Sequence, residues 1–186
     1  MSQQINISVI VGSLRKDSVN RKAALALARM APSHVKLHIV EIGDLPLYDE
    51  DVEAAGTPAS WTRFRDELRA SDAVLFVTPE YNRSVPGALK NAIDVGSRPY
   101  GNSAWAGKPA AIMSLSPGAL GAFGANHHLR QSLVFLDMPI LQQPEAYVGQ
   151  AYSLFDEAGN IVNEGTGKFF ESFLNAFIGW IDRTSG

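Results

Sequence analysis

Two short segments carry the residue types that can hold a charged, flat ligand. The first is Gly12-Ser13-Leu14-Arg15-Lys16-Asp17-Ser18-Val19-Asn20, directly after the apolar run Ile5–Val11. A phosphate monoester carries close to two negative charges near neutral pH, so it needs several donors and some positive charge. Ser13 and Ser18 bring hydroxyls, and Arg15 brings a guanidinium that can bond two oxygens at once. Unpaired N–H groups at the start of a helix at Asn20 would point outward along a favourable dipole. Gly12 permits a tight exit from the strand and close backbone approach. The same residues also make an ordinary strand-to-helix turn, with Ser18 or Asn20 as a simple N-cap. No Gly-x-Gly-x-x-Gly follows the first strand and no Gly-Lys-Ser/Thr is present, so a monophosphate fits better than a pyrophosphate or triphosphate.

The second segment is Pro79-Glu80-Tyr81-Asn82-Arg83-Ser84-Val85-Pro86-Gly87, directly after Ala73–Thr78. Pro79 stiffens it, and Tyr81 offers a flat apolar body with a polar tip. Asn82 and exposed peptide groups can bond the N–H and carbonyl groups of a ring. Glu80 either fixes the loop or bonds the ligand. Arg83 reads as a surface arginine. A third loop, Ser114-Leu115-Ser116-Pro117-Gly118-Ala119-Leu120-Gly121, has small residues that let backbone approach a ring or a ribityl chain. Together the segments point to flavin mononucleotide (FMN), with its phosphate on the first loop and its ring on the second. The candidate contacts are Ser13, Arg15, Ser18, Val19, Asn20, Pro79, Glu80, Tyr81 and Asn82.

Other chemistries find little support. There is no cysteine, which removes disulfides, thiolate metal sites and thiol redox chemistry. His127 and His128 are adjacent, so a helix turns them about 100° apart rather than onto one ion. One of them is expected to be partly buried and the other at the surface or an interface. No Ser/His/Asp set is evident. The formal charge of −3 and the lack of a basic stripe argue against nucleic acid.

These loops need a frame. With 186 residues, 46% hydrophobic and 19% charged, the chain suits one globular domain spanning residues 1–186. Segments 73–78 and 109–115 are continuously apolar and read as central strands covered on both faces. Segment 35–42 alternates and reads as a strand near an edge. Residues 139–142 are expected as a short last strand. Helices are expected at 20–30, 60–70, 86–97, 125–135 and 166–181. In the last of these, Phe169, Phe173, Phe177 and Ile181 form a core-facing stripe. Residues 43–58 and 151–165 are read as long loops, the former as a rim, a partner surface or a solvated connection. Strands alternating with helices imply an α/β, flavodoxin-like three-layer sandwich with a parallel sheet of order 2-1-3-4-5. In that order the three loops converge at the strand carboxyl ends. The N-terminus lacks a signal-peptide pattern, and no apolar run approaches the roughly 20 residues of a membrane span, which suggests a cytoplasmic protein.

At these loops the sequence resembles the NADPH-dependent FMN reductase family, and within it the soluble quinone and chromate reductases. The matching stretches are residues 12–20, residues 79–94, Ser116-Pro117-Gly118 and His128-Leu129-Arg130-Gln131, within a region spanning roughly 5–145. The resemblance implies bound FMN, with Ser13, Arg15, Ser18 and Asn20 at its phosphate and Pro79, Glu80, Tyr81, Asn82 and Ser116 at its ring, and hydride transfer to it from NADPH or NADH. Electrons would then pass to quinones, chromate, azo or nitro compounds, or free flavin. It implies a homodimer or homotetramer and no dedicated catalytic side chain. It breaks at Gly124, where relatives often carry arginine, at His127, where they carry tyrosine, and at Val95-Gly96, which replaces a bulkier pair. The alternatives are a flavodoxin-type electron carrier, a reductase supplying free reduced flavin to a monooxygenase, and a phosphate-binding module without redox activity.

Overall fold

The computed structural model describes residues 4–184. Five parallel strands, β1 (Ile5–Val11), β2 (Val35–Ile39), β3 (Ala73–Thr78), β4 (Ala110–Leu115) and β5 (Ala146–Val148), form one sheet of order β2-β1-β3-β4-β5. The expected flavodoxin-like α/β order is thus observed. β3 and β4 are buried at every position, in keeping with sequences that are apolar except at Thr78 and Ser114.

Alternate residues of each strand face opposite layers. Val9, Val11, Leu75, Val77 and Met113 pack against α1 (Val19–Met30) and α6 (Glu164–Thr184). Ile10, Val74, Phe76 and Ile112 pack against α3 (Ala59–Arg69), α4 (Gly87–Gly96) and α5 (Phe123–Phe135). In α6 the buried stripe is Phe170, Phe173, Phe177 and Ile181, with Phe169 only half-buried beside it. Over α4, the Trp105 indole fills the space above Gly96, where a Cβ would lie 2.5 Å from its Nε1. No helix among the described residues is long and apolar enough to cross a membrane.

Two sequence expectations need correction. Residues 139–142 do not form the last strand. Ile140 makes a single parallel bridge to Ala110, and the regular pairing resumes only at Ala146–Val148 beside Met113–Leu115. Pro139 and Pro144 lack the N–H that a continuous ladder needs, so the edge strand is interrupted. Segment 43–58 is also not wholly loop. It contains α2 (Glu50–Ala55), capped by Asp49, whose side chain accepts from the Asp51 N–H. Glu50, Asp51 and Glu53 in its first turn complement the helix dipole.

Candidate functional site

The carboxyl ends of β1, β3 and β4 release the three loops side by side. Gly12 N–H donates to the Val77 carbonyl at 2.9 Å, and a Cβ on Gly12 would lie 2.5 Å from Thr78 Oγ1. Only glycine lets the first loop pass this close to the end of β3. Beyond it, Ser13 is buried and its Oγ accepts from Arg15 N–H at 3.4 Å. Ser18 is the N-cap of α1, its Oγ accepting from Arg21 N–H at 3.3 Å. Val19 is half-buried. Asn20 is buried in the first turn, and its Oδ1 has no partner.

Arg15 projects into solvent and is held by a residue distant in sequence. Its Nη1 donates to the Tyr152 hydroxyl at 3.1 Å. That bond raises the guanidinium pKa above its ordinary value, followed by the field of the same hydroxyl, with smaller contributions from Tyr81 and Asp17. The charge of Arg15 is therefore held at the turn after β5.

The second loop is a two-residue hairpin. Tyr81 and Ser84 exchange backbone hydrogen bonds of 3.0 Å each, and Asn82 (φ 52°) and Arg83 (φ 66°) both adopt the left-handed conformation. Such a turn needs positive φ at both central residues, and asparagine tolerates it well. Asn82 and Arg83 are thereby exposed, and Tyr81 keeps 46% of its surface open. Pro79 and Glu80 are half-buried. Glu80 Oε2 accepts from Ala125 N–H at 3.1 Å, at the first turn of α5. Of its two expected roles, fixing the loop is the one its hydrogen bond serves. Gly124 makes that contact possible: a Cβ there would lie 2.8 Å from Glu80 Oε2 and 2.9 Å from the Arg83 carbonyl.

The third loop is fastened to the end of β5. Ser116 N–H donates to the Val148 carbonyl, and the Ser116 carbonyl accepts from Ala151 N–H, both at 3.1 Å. Ser116 Oγ donates to the Gly118 carbonyl at 3.3 Å. Gln150 N–H reaches the same carbonyl at 3.3 Å. This ties the turn Ala151–Ser153, and with it Tyr152, to the loop that leaves β4.

Residues 5–153 match the model of the NADPH-dependent FMN reductases. The chain belongs to this family. A quinone reductase of Pseudomonas putida KT2440 is 65% identical over 181 residues, 97% of each chain. A 2-hydroxy-1,4-benzoquinone reductase of a Burkholderia species is 45% identical over 177 residues, 95% of this chain and 96% of the other. Among solved structures, FerB of Paracoccus denitrificans, a flavoenzyme NAD(P)H:(acceptor) oxidoreductase, superposes with a TM-score of 0.90 at 43% identity, covering 97% and 98% of the two chains. Membership makes this chain an oxidoreductase that works with FMN and NAD(P)H.

Beside the FMN reductase loops lies an aromatic group that the sequence did not reveal. Phe123, His127 and Tyr147 have ring centroids 4.3 to 5.8 Å apart, and His127 Nε2 lies 2.8 Å from the Tyr147 hydroxyl. His128 Nδ1 meets Ser84 Oγ at 2.9 Å. Both histidines are exposed, against the expectation that one would be partly buried, because the buried face of α5 falls on Ala125, Asn126, Leu129 and Leu133. Burial, and then a hydrogen bond to Glu145, pushes the Tyr147 pKa up to about 12. Tyr152 was also missed. Its only sequence signal was membership of the long 151–165 segment.

Proposed function

We propose that this chain is a quinone reductase that draws electrons from NAD(P)H and holds FMN across the three strand-end loops. The redox chemistry, hydride uptake from NAD(P)H and delivery of two electrons to the acceptor, is what FMN supplies when bound. The chain's task is to bind and orient it. Two features fit the group. Gly12 keeps the backbone against Thr78 where any Cβ would collide, leaving a narrow cradle. Asn20 carries a buried, unpartnered amide oxygen in the first turn of α1, and turning the amide by 180° sets Nδ2, a donor, at that position.

In this reading Arg15 supplies charge to the phosphate. Ser13, Ser18, Asn20 and the Val19 and Asn20 peptide N–H groups supply neutral donors. Pro79, Tyr81 and Asn82 flank the ring, with Ser116 on the opposite loop. Glu80 acts through α5 by holding its first turn against the hairpin. The observation that carries the proposal is the hydrogen bond from Arg15 to Tyr152, which ties the first loop to the turn after β5 at the end of the sheet where the Tyr81 loop also emerges. The quinone as acceptor is supported by the 65% identity to the Pseudomonas reductase. Chromate, azo and nitro compounds and free flavin are secondary acceptors to be compared with it. The chain is read as one cytoplasmic domain. Assembly as a homodimer or homotetramer is supported by the exposed Phe123, Val134 and Phe135 of α5, and light scattering tests it.

An anaerobic visible spectrum of the purified protein tests the central reading. Flavin absorbance should bleach on adding NADPH or NADH and return on adding a benzoquinone. A protein that takes up no FMN, or a flavin that neither nucleotide reduces, would overturn it.

A further inference from the structure

Arg83, at the tip of the Tyr81 hairpin, has no part in the FMN contacts above. Its place in the turn is unusual for its type. The second central residue needs positive φ, where glycine is the least costly choice, yet an arginine stands there at φ 66°. Its carbonyl lies against Gly124, while its side chain stands 81% exposed. Its ion-pair partner among the described residues is Glu80, at 4.0 Å. That carboxylate is largely buried, and its other oxygen accepts from Ala125 N–H. An N–O distance of 4.0 Å is too long for a hydrogen bond, so the pair leaves the five guanidinium donors free.

A cavity of about 360 Å³ opens at the foot of the same hairpin, between α4 and α5. Ser84, Val85, Lys90, His128, Gln131 and Ser132 line it. Ser84 is the cross-hairpin partner of Tyr81, so the cavity begins one residue pair away from the side chain read as flanking the flavin ring. Val85 is the single apolar residue of the lining, too little to hold an aromatic ring. None of the six is an acid. Lys90 is bound to Asp94, one turn along α4, at 2.7 Å. The contact with Ser84 Oγ takes up His128 Nδ1 and leaves Nε2 outside it. The space therefore suits a small, negatively charged group.

The geometry points to an acceptor subsite in which Arg83, with Lys90 and His128 of the adjoining cavity, selects quinones that carry an ionised acidic substituent. The inference rests on the reductase reading above and adds the charge of the acceptor to it. The quinone ring lies toward Tyr81, and its carboxylate or sulfonate points past Ser84 into the cavity. Arg83 meets the anion at the rim, where a planar guanidinium can bond two oxygens at once. A protein of formal charge −3 repels such an acceptor at long range, so local cations are what admit it. Arg83 moves no proton and no electron. It is a specificity residue, separate from the candidate FMN contacts.

Two pairs of probes test the subsite. The first pair compares kcat/KM for 1,4-naphthoquinone-2-sulfonate with that for the neutral 2-methyl-1,4-naphthoquinone, with the same electron donor at the same concentration. Arg83→Gln should lower the ratio about fivefold at low salt, in line with one exposed charge contact. The wild-type ratio should fall toward that of the variant at about 1 M salt, where charges are screened beyond about 3 Å. Asp94→Asn, which frees Lys90, should raise the ratio, a gain that a misfolded variant would not show. Loss of FMN lowers both rates alike and leaves the ratio unmoved. The second pair is redox-inert. Benzenesulfonate should bind FMN-loaded protein more tightly than benzenesulfonamide by calorimetry, and Arg83→Gln should remove the difference. An unchanged ratio in Arg83→Gln, or equal affinity for the two inert probes, overturns the inference. Turnover of both quinones at a ratio that neither variant nor salt moves sinks this subsite alone. A preference for benzenesulfonate in a protein whose flavin no nucleotide bleaches keeps the anion subsite and sinks the reductase reading.

Discussion

Arg15 and Tyr152, 137 positions apart in the chain, are joined by a hydrogen bond of 3.1 Å that links the loop after β1 to the turn after β5. A guanidinium has five donors, so a bond from Nη1 to one phenol leaves the others free for a phosphate. Tyr152 thereby orients the one arginine of the candidate phosphate cradle. Arg15→Ala should weaken FMN binding about tenfold or more, the cost of a charge-assisted contact. Tyr152→Phe should weaken it by a smaller factor. The two effects should not add, because Tyr152 acts through Arg15. FMN titration of flavin-free protein, followed by fluorescence quenching, measures all three variants. A full Tyr152→Phe effect in the Arg15→Ala background would separate the two residues.

Gly124 is predicted to resist substitution. A Cβ there would sit 2.8 Å from Glu80 Oε2 and 2.9 Å from the Arg83 carbonyl, and the second of these is backbone that cannot swing away. Gly124→Ala should push the Tyr81 hairpin off α5 and cost about 1 to 3 kcal/mol, as overpacking does. For a domain of this size each kcal/mol lowers Tm by about 2 to 4 °C. Thermal unfolding with and without FMN reads the effect, and flavin affinity should fall with stability because the hairpin carries Tyr81 and Asn82.

The parts legible in the sequence were those with local causes. β3 and β4 were visible because strands buried on both faces are mostly apolar, and their alternation with helices implied the sheet order. The loops after β1 and β3 were visible as loops because glycine, serine and proline act on their own backbone, whereas the hairpin at Asn82-Arg83 was not visible, since its positive φ values fall on residues other than glycine. β5 was misplaced because it has three residues and its ladder is broken near two prolines. α2 was missed because it buries no residue, so no apolar period marks it. Tyr152 and the Phe123–His127–Tyr147 group depend on contacts between distant segments, which no local pattern encodes.

Tyr147 should make stability depend on alkaline pH. Its folded pKa is raised from 10.0 to about 12, by burial first and then by the hydrogen bond to Glu145. The folded state therefore holds this proton more tightly than the unfolded chain. Its contribution is fully present below about 10 and is lost as pH rises toward about 12. Urea unfolding at increasing pH above 9 should show stability falling in the wild type. Tyr147→Phe should flatten the decline, and an unchanged slope would remove Tyr147 as its source.

Glu53 and Arg65 form the one ion pair among the described residues with both side chains largely buried, 15% and 5% exposed, at 2.5 Å. Arg65 is further held by its Nε–H, which donates to the Val95 carbonyl at 2.8 Å, and by the Trp61 ring 5.7 Å away. Its Nη2 is buried without a partner. Burying a charge is tolerable only while its counter-charge stays in place, so removing one partner is costlier than the pair itself is worth. α2 has no buried residue, which leaves the Glu53 carboxylate as its principal anchor to α3. Glu53→Ala should therefore destabilise the protein by about 3 to 5 kcal/mol. It should also release residues 50–55 to proteolysis before global unfolding. Arg65→Met, which removes the buried charge as well, should cost less than Glu53→Ala despite deleting more hydrogen bonds. If Arg65→Met proves the more damaging of the two, the bonds to Val95 rather than the stranded charge dominate, and α2 is held by something other than this pair.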